Sequence, residues 1–180
     1  AYRGTGIFAK PIPVRVIANY PSWDRFVYMV HPRTGITSIG QIKEKRYPLR
    51  LSTREDTNHS TRALIDQTFG CYGFSMKDVE SWGGSLQINN PPGDKRRLDA
   101  LREGTVDAVF DEGIALWLEL AFQTGMRPIF PEPAVVQKLR DIGWRDVVMP
   151  AKLFPYLEED CPSIDYSGWP LFSLDTLPEE

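Results

Sequence analysis

The sequence predicts an α/β fold built on a largely parallel sheet flanked by helices. Short β-rich runs alternate along the chain with helical patterns, the rhythm of strand–helix–strand units. Three of the helical stretches begin behind Ser or Asn, at Ser38, Asn58 and Ser75, and four stop at Gly, at Gly70 or Gly73, Gly104, Gly125 and Gly143, as capped helices do. The 180 residues, 42% hydrophobic and 25% charged, suffice for one domain with a buried core, or for a domain and a fragment of another.

Val14 to Ala18 reads as a buried strand, ended by Tyr20-Pro21-Ser22-Trp23-Asp24, and Phe26 to Val30 reads as a second. His31 to Gly35 is a turn. Ser38 is placed to cap a short helix through Glu44. Leu49 to Ser52 is a third strand. Asn58-His59-Ser60-Thr61 opens a stronger helix with Ala63, Leu64, Ile65 and Phe69 on one face, ended by Gly70 or Gly73. Ser75 is a cap for a short turn over Met76 to Val79. Trp82 to Gly93 is rich in Gly, Asn and Pro and reads as a long loop. Lys95 to Glu103 is a helix stopped by Gly104.

Val106 to Phe110 is a fourth strand with Asp111-Glu112-Gly113 at its end. Ile114 to Thr124 is an apolar helix, and Met126 to Phe130 a short strand. Pro133 to Ile142 is an amphipathic helix with Val135, Val136, Leu139 and Ile142 inward. Asp146 to Met149 is a strand, and Ser163 to Tyr166 and Pro170 to Leu174 are extended. Asp175 or Thr176 would cap a further helix, so the expectation is an incomplete chain.

Several function classes are excluded. The net charge of −3 comes with interspersed signs and no basic stripe, which argues against nucleic acid. No apolar run approaches the ~20 residues of a membrane helix. Cys71 and Cys161 could pair in an oxidising compartment, but their spacing does not point to a disulfide, nor to metal ligation with His31 and His59, so the reading is two unpaired thiols and no metal. There is no Gly-x-Ser-x-Gly elbow and no P-loop, and Gly4-Thr5-Gly6 is too short for a dinucleotide fingerprint. No cofactor is implied.

Three places carry candidate chemistry. Ser52-Thr53-Arg54 with Asn58, His59, Ser60 and Thr61 is a strand end followed by a helix N-terminus, where free N–H groups favour an anion and Arg54 offers a planar fork to a carboxylate. The blander reading is helix capping beside a solvated arginine. Trp82-Gly83-Gly84 is a backbone that a ligand can approach closely with a tryptophan wall, or a turn beside a core tryptophan. Asp111 and Glu112 accept bonds from an amine or hydroxyl ligand, or pair with Arg54, or help close two lobes.

The order of segments carries a resemblance. Val14 to Asp24 precedes Gly35-Ile36-Thr37-Ser38-Ile39, Lys45-Arg46 and the strand Leu49 to Ser52. Tyr72-Gly73-Phe74-Ser75 leads into Glu80-Ser81-Trp82-Gly83-Gly84. Leu101 to Gly113, Gly125-Met126-Arg127-Pro128 and Ile164 to Phe172 complete the series. Over nearly its whole length the chain resembles the TAXI-type solute-binding proteins of TRAP transporters and the related NMT1-like proteins, which share the type II periplasmic-binding-protein fold. That resemblance implies hinge strands and a first-lobe remnant in residues 1–36, an α/β ligand-binding lobe in 37–150 and a return crossover in 151–180. It implies an extracytoplasmic protein that binds a small, anionic, carboxylate-like solute between two lobes and delivers it to membrane transporter subunits. Tyr20 and Trp23 would stack on the ligand or pack the hinge, and Trp169 would anchor the crossover. A chain lacking part of the first lobe could self-associate through exposed sheet edges. The rival readings are an enzyme on the same fold, such as a small aromatic-acid decarboxylase using Asp111, Glu112 and His59, and a ligand-sensing module.

Overall fold

The computed structural model describes residues 9–54, 59–89 and 91–174. Among them run, in order, β1 (Arg15–Pro21), β2 (Arg25–Val30), α1 (Ile39–Glu44), β3 (Arg50–Arg54), α2 (Ser60–Cys71), α3 (Met76–Ser81), β4 (Ser85–Asn89) and α4 (Lys95–Glu103). Then follow β5 (Ala108–Asp111), α5 (Leu118–Gln123), β6 (Arg127–Ile129), α6 (Pro133–Asp141), β7 (Asp146–Met149), β8 (Cys161–Asp165) and β9 (Gly168–Ser173).

The main sheet has the order β4-β3-β5-β2-β8-β7. β8 pairs with the first half of one edge of β2, and β6 with the second half. Only β4-β3-β5 is parallel; β2 runs against β5, β6 and β8, and β7 against β8. The sheet is therefore mixed, parallel on one side and antiparallel on the other. The cause lies between β2 and β3. Between them the chain does not return along the sheet before β3 begins. β3 therefore starts where β2 stops: His31 N–H donates to Asp107 O and Asp107 N–H to Arg50 O, both at 2.8 Å.

All six residues of β2 are buried, and they alternate between two cores as a pleated strand must. Phe26, Tyr28 and Val30 pack with Ile39, Leu64, Phe69, Phe110 and Leu139 on one face. Val27 and Met29 pack with Leu101, Val109, Trp117, Leu118 and Met149 on the other. Helices thus cover both faces, as an α/β architecture requires. The two cysteines sit on opposite faces, Cys71 against the first core and Cys161 within the second, and both are free.

A separate two-stranded antiparallel ribbon joins β1 to β9, from Arg15 opposite Ser173 to Pro21 opposite Gly168. Val14 to Ala18 is accordingly a strand but not a buried one: Val16 is 67% exposed and the ribbon leans on neither core. The stretches 1–36 and 151–180, expected to lie outside the lobe, contribute β2 and β8 to the main sheet.

Three further local expectations need correction. The loop expected over 82–93 contains β4, whose Leu86 and Ile88 alternate with polar Gln87. The helix expected from Ile114 to Thr124 is broken. A 3₁₀ turn, Ile114–Leu116, precedes α5, and Trp117 at φ −148° leaves helical geometry as its buried indole donates to Glu112 O at 2.8 Å. Ile142, expected inward, lies just past α6 and is 46% exposed.

At the amino end of β5, Asp107 accepts from Arg50 Nη2 at 2.7 Å, Arg50 Nε at 2.9 Å and Arg33 Nε at 3.3 Å. Burial pushes the Asp107 carboxyl up, and the bonds from Arg50 and Arg33 more than reverse this, so it titrates below the ordinary aspartate range. A depressed carboxyl contributes stability above its unfolded pKa, near 4, and loses it as pH falls through the lower folded value. We expect Asp107→Asn to lower stability by about 1–2 kcal/mol at pH 7, since both arginines are partly solvated. The deficit should shrink towards zero in urea titrations below the folded pKa; a deficit constant with pH would contradict the assignment.

Candidate functional site

The carboxyl ends of β3 and β5 lie beside each other and point towards the start of α2. Arg54 closes β3, Asp111 closes β5, and Glu112 follows. Arg54 Nε donates to Glu112 Oε1 at 3.0 Å and lies 3.2 Å from Asp111 Oδ1; its Nη2 also contacts Glu112. Behind them Arg97 reaches up from α4. Its Nη2 is 2.6 Å from Asp111 Oδ2, close but not aligned as a hydrogen bond. Its Nε donates to Ser52 Oγ at 2.9 Å, and Ser52 Oγ also accepts from Asn89 Nδ2 at 2.8 Å. Asp111 and Arg97 are wholly buried. Two guanidinium groups and two carboxylates thus alternate from the core to the surface, each with an opposite charge as neighbour, the condition for burying charge at all.

Burial pushes the Asp111 carboxyl up, opposed by Arg97 and Arg54. Burial raises Glu112 as well; Arg54 opposes this and the neighbouring Asp24 carboxyl adds to it. Asp24, in the turn between β1 and β2, accepts from Gly113 N–H at 2.7 Å and Ile114 N–H at 3.3 Å. At the start of α2, His59 Nδ1 accepts from Thr61 N–H at 3.2 Å, so the histidine is the helix cap, and its Nε2 lies 4.0 Å from Glu112 Oε1. Arg62, one turn into α2, donates to Arg54 O at 3.2 Å.

These groups open into a pocket of about 470 Å³ walled by Asp24, Arg54, His59, Glu112, Tyr166 and Trp169. Ser60 also lines it. Ser52 and Thr53 lie beneath it, buried in β3, where Thr53 Oγ1 donates to Phe110 O at 3.1 Å. Asn58 lies outside the described residues.

Other expected residues stand apart. Trp82, Gly83 and Gly84 precede β4, and the parallel register puts Ser85 opposite Arg50 and Asn89 opposite Arg54. They therefore lie at the far end of the sheet. Gly84 answers to packing there, because a Cβ would come within 2.7 Å of Leu49 O. Tyr20 pairs with Trp169 in the ribbon and is 60% exposed. Trp23 does not line this pocket but lies beside it: it is 62% exposed, has the Arg25 guanidinium 5.6 Å from its ring, and lines a neighbouring hollow with Asp24 and Trp169.

Sequence reading passed over Arg97, Asn89, Tyr166 and Trp144, all part of this end of the sheet. Arg97 had a signal: it shares the face of Ala100 and Leu101, three and four residues on, both buried. Asn89 had none, being one polar residue in a Gly/Asn/Pro-rich stretch.

No family model matches the chain, and no curated protein matches it. Among solved structures it is similar to the L-cystine solute receptor of Neisseria gonorrhoeae in the unliganded open conformation, with 15% identity and a TM-score of 0.35, over 67% of this chain and 42% of that one. It is also similar to apo YehZ from Escherichia coli, with 12% identity and a TM-score of 0.41, over 84% of this chain and 47% of that one. The chain spans less than half the length of either structure.

Proposed function

We propose that the chain captures a small organic solute in the strand-end pocket, as one lobe of a two-lobed extracytoplasmic receptor that hands its ligand to a membrane transporter. The observation that carries this reading is the meeting of Arg54 and Glu112 on the wall of a 470 Å³ pocket outside the carboxyl ends of β3 and β5. That is where α/β sheets take their ligands, and the volume suits a small molecule. The resemblance to TAXI-type and NMT1-like proteins supports the same reading. Under it, β1 and β9 act as hinge strands about which the lobes close.

A carboxylate on the solute is the natural partner of Arg54. Arg54 is already held by Glu112 and Asp111, so the incoming carboxylate competes with theirs. A solute that also brings an ammonium group compensates by giving Glu112 a new partner.

Thermal shift against carboxylates, amino acids and aromatic acids tests the proposal. A true ligand stabilises the folded chain by about 2.7 kcal/mol at a hundredfold excess over Kd. Arg54→Lys should abolish the shift, since a point charge cannot replace the planar fork. No shift from any compound, with the chain folded by circular dichroism, or a shift unchanged in Arg54→Lys, would count against it.

A further inference from the structure

We infer that the solute carries an apolar body next to its charged head, and that this body lies beyond Trp169 in a second pocket. The inference rests on the strand-end reading above and names the class of molecule that site takes: a carboxylate or α-amino acid with an alkyl or aromatic side chain.

The second pocket has a volume of about 330 Å³, and its walls are the side chains of Trp23, Ile114, Leu116, Phe154 and Trp169. It shares Asp24 and Trp169 with the polar pocket, so the two are neighbours across one indole. That indole is placed by its own hydrogen bond, Trp169 Nε1 donating to Tyr166 O at 3.2 Å. The opposite wall is held by Asp24, whose carboxylate ties the β1–β2 turn to Gly113 and Ile114 at the start of the 3₁₀ turn. Trp23 is held from one side by Arg25. The concavity is thus framed by groups with partners elsewhere in the fold.

Water gains little in this space, because Asp24 and Ser22 supply its only charged and hydroxyl side chains. Meanwhile Trp23, Leu116 and Trp169 are each more than half exposed around it. Covering those surfaces is favourable, and an apolar group continuous with a head bound at Arg54 and Glu112 covers them without a second molecule. The narrow volume and shared wall favour a side chain of the same solute over a protein partner.

The test is isothermal titration calorimetry, with tryptophan fluorescence as a second readout, on two homologous series. One is the α-amino acids alanine, norvaline, 2-aminooctanoic acid and phenylalanine; the other is n-alkanoic acids from acetate to octanoate. In at least one series affinity should rise about fourfold per added methylene. Leu116→Gln, at an exposed position, should leave the melting temperature unchanged and flatten that rise. Binding that is independent of chain length would overturn the apolar-body inference and leave the head-group site standing. A rise that persists in both Leu116→Gln and Trp169→Ser would place the body elsewhere and also overturn it. Failure of every member of both series to bind would overturn the strand-end site and this inference with it.

Discussion

Arg97→Met should lower the unfolding free energy by about 3–5 kcal/mol, the usual loss when one partner of a buried ion pair is removed. Arg97 is wholly buried and makes several contacts at once: Asp111 at 2.6 Å, Ser52 Oγ at 2.9 Å, Pro92 O at 3.0 Å and the face of Trp117 at 5.9 Å. Methionine refills much of the volume but leaves Asp111 with Arg54 as its remaining cation. Burial already raises the Asp111 carboxyl, and losing Arg97 raises it further. A carboxyl raised in the folded state is penalised when ionised, so the deficit of the variant should narrow as pH falls through that folded value. Adding Asp111→Leu to Arg97→Met removes the stranded charge and should recover much of the loss. Urea denaturation of the two single variants and the pair closes the cycle. A single-variant loss below about 1 kcal/mol would show that the pair is not the support described here.

Gly113→Ala should cost about 3 kcal/mol and, under the proposed strand-end reading, weaken solute binding at the same time. Gly113 sits at φ +67°, where an L side chain is strained, and a Cβ there would come within 2.4 Å of Pro92 Cγ. Left-handed strain and overpacking each contribute about 1–3 kcal/mol. Relief requires either the Pro92 turn or the Glu112–Ile114 backbone to move. The first carries the carbonyl that accepts from Arg97, and the second carries the N–H groups that Asp24 binds. Gly70→Ala is the control: it lies inside α2 with open space around the new Cβ, and it should stabilise the chain by up to about 1 kcal/mol. Equal effects at the two glycines would refute the role assigned to Gly113.

Much of this fold was legible because its central elements obey local rules. β2, β3 and β5 are apolar runs with turn residues at their ends, and α4 stops on a left-handed Gly104. α3 starts on a full capping box between Ser75 and Asp78. β4 was hidden because two alternating apolar residues are a weak signal among Gly, Asn and Pro. The break at Trp117 was hidden because a buried indole overrode a helical pattern. Strand direction was hidden for a different reason. It depends on which end of the sheet the β2–β3 connection leads to, and hydrophobic periodicity does not record that. At the site, Arg54, Asp111 and Glu112 were readable as charges at strand ends, and their pairing was one of the alternatives open to them. Trp82-Gly83-Gly84 looked equally suitable, because a strand's sequence does not say which end of the sheet it faces.

The charges at the two ends of β5 also bear on folding fidelity. Asp107 is gripped by Arg50 and Arg33 at one end, and Asp111 by Arg97 and Arg54 at the other. A one-residue slip shifts a strand by ~3.3 Å and turns each side chain to the opposite face. Such a slip in β5 would break both grips together and bury two carboxylates among apolar side chains. The electrostatic clamps therefore penalise a misaligned β5 at both ends and favour the one alignment that sets Glu112 on the pocket wall.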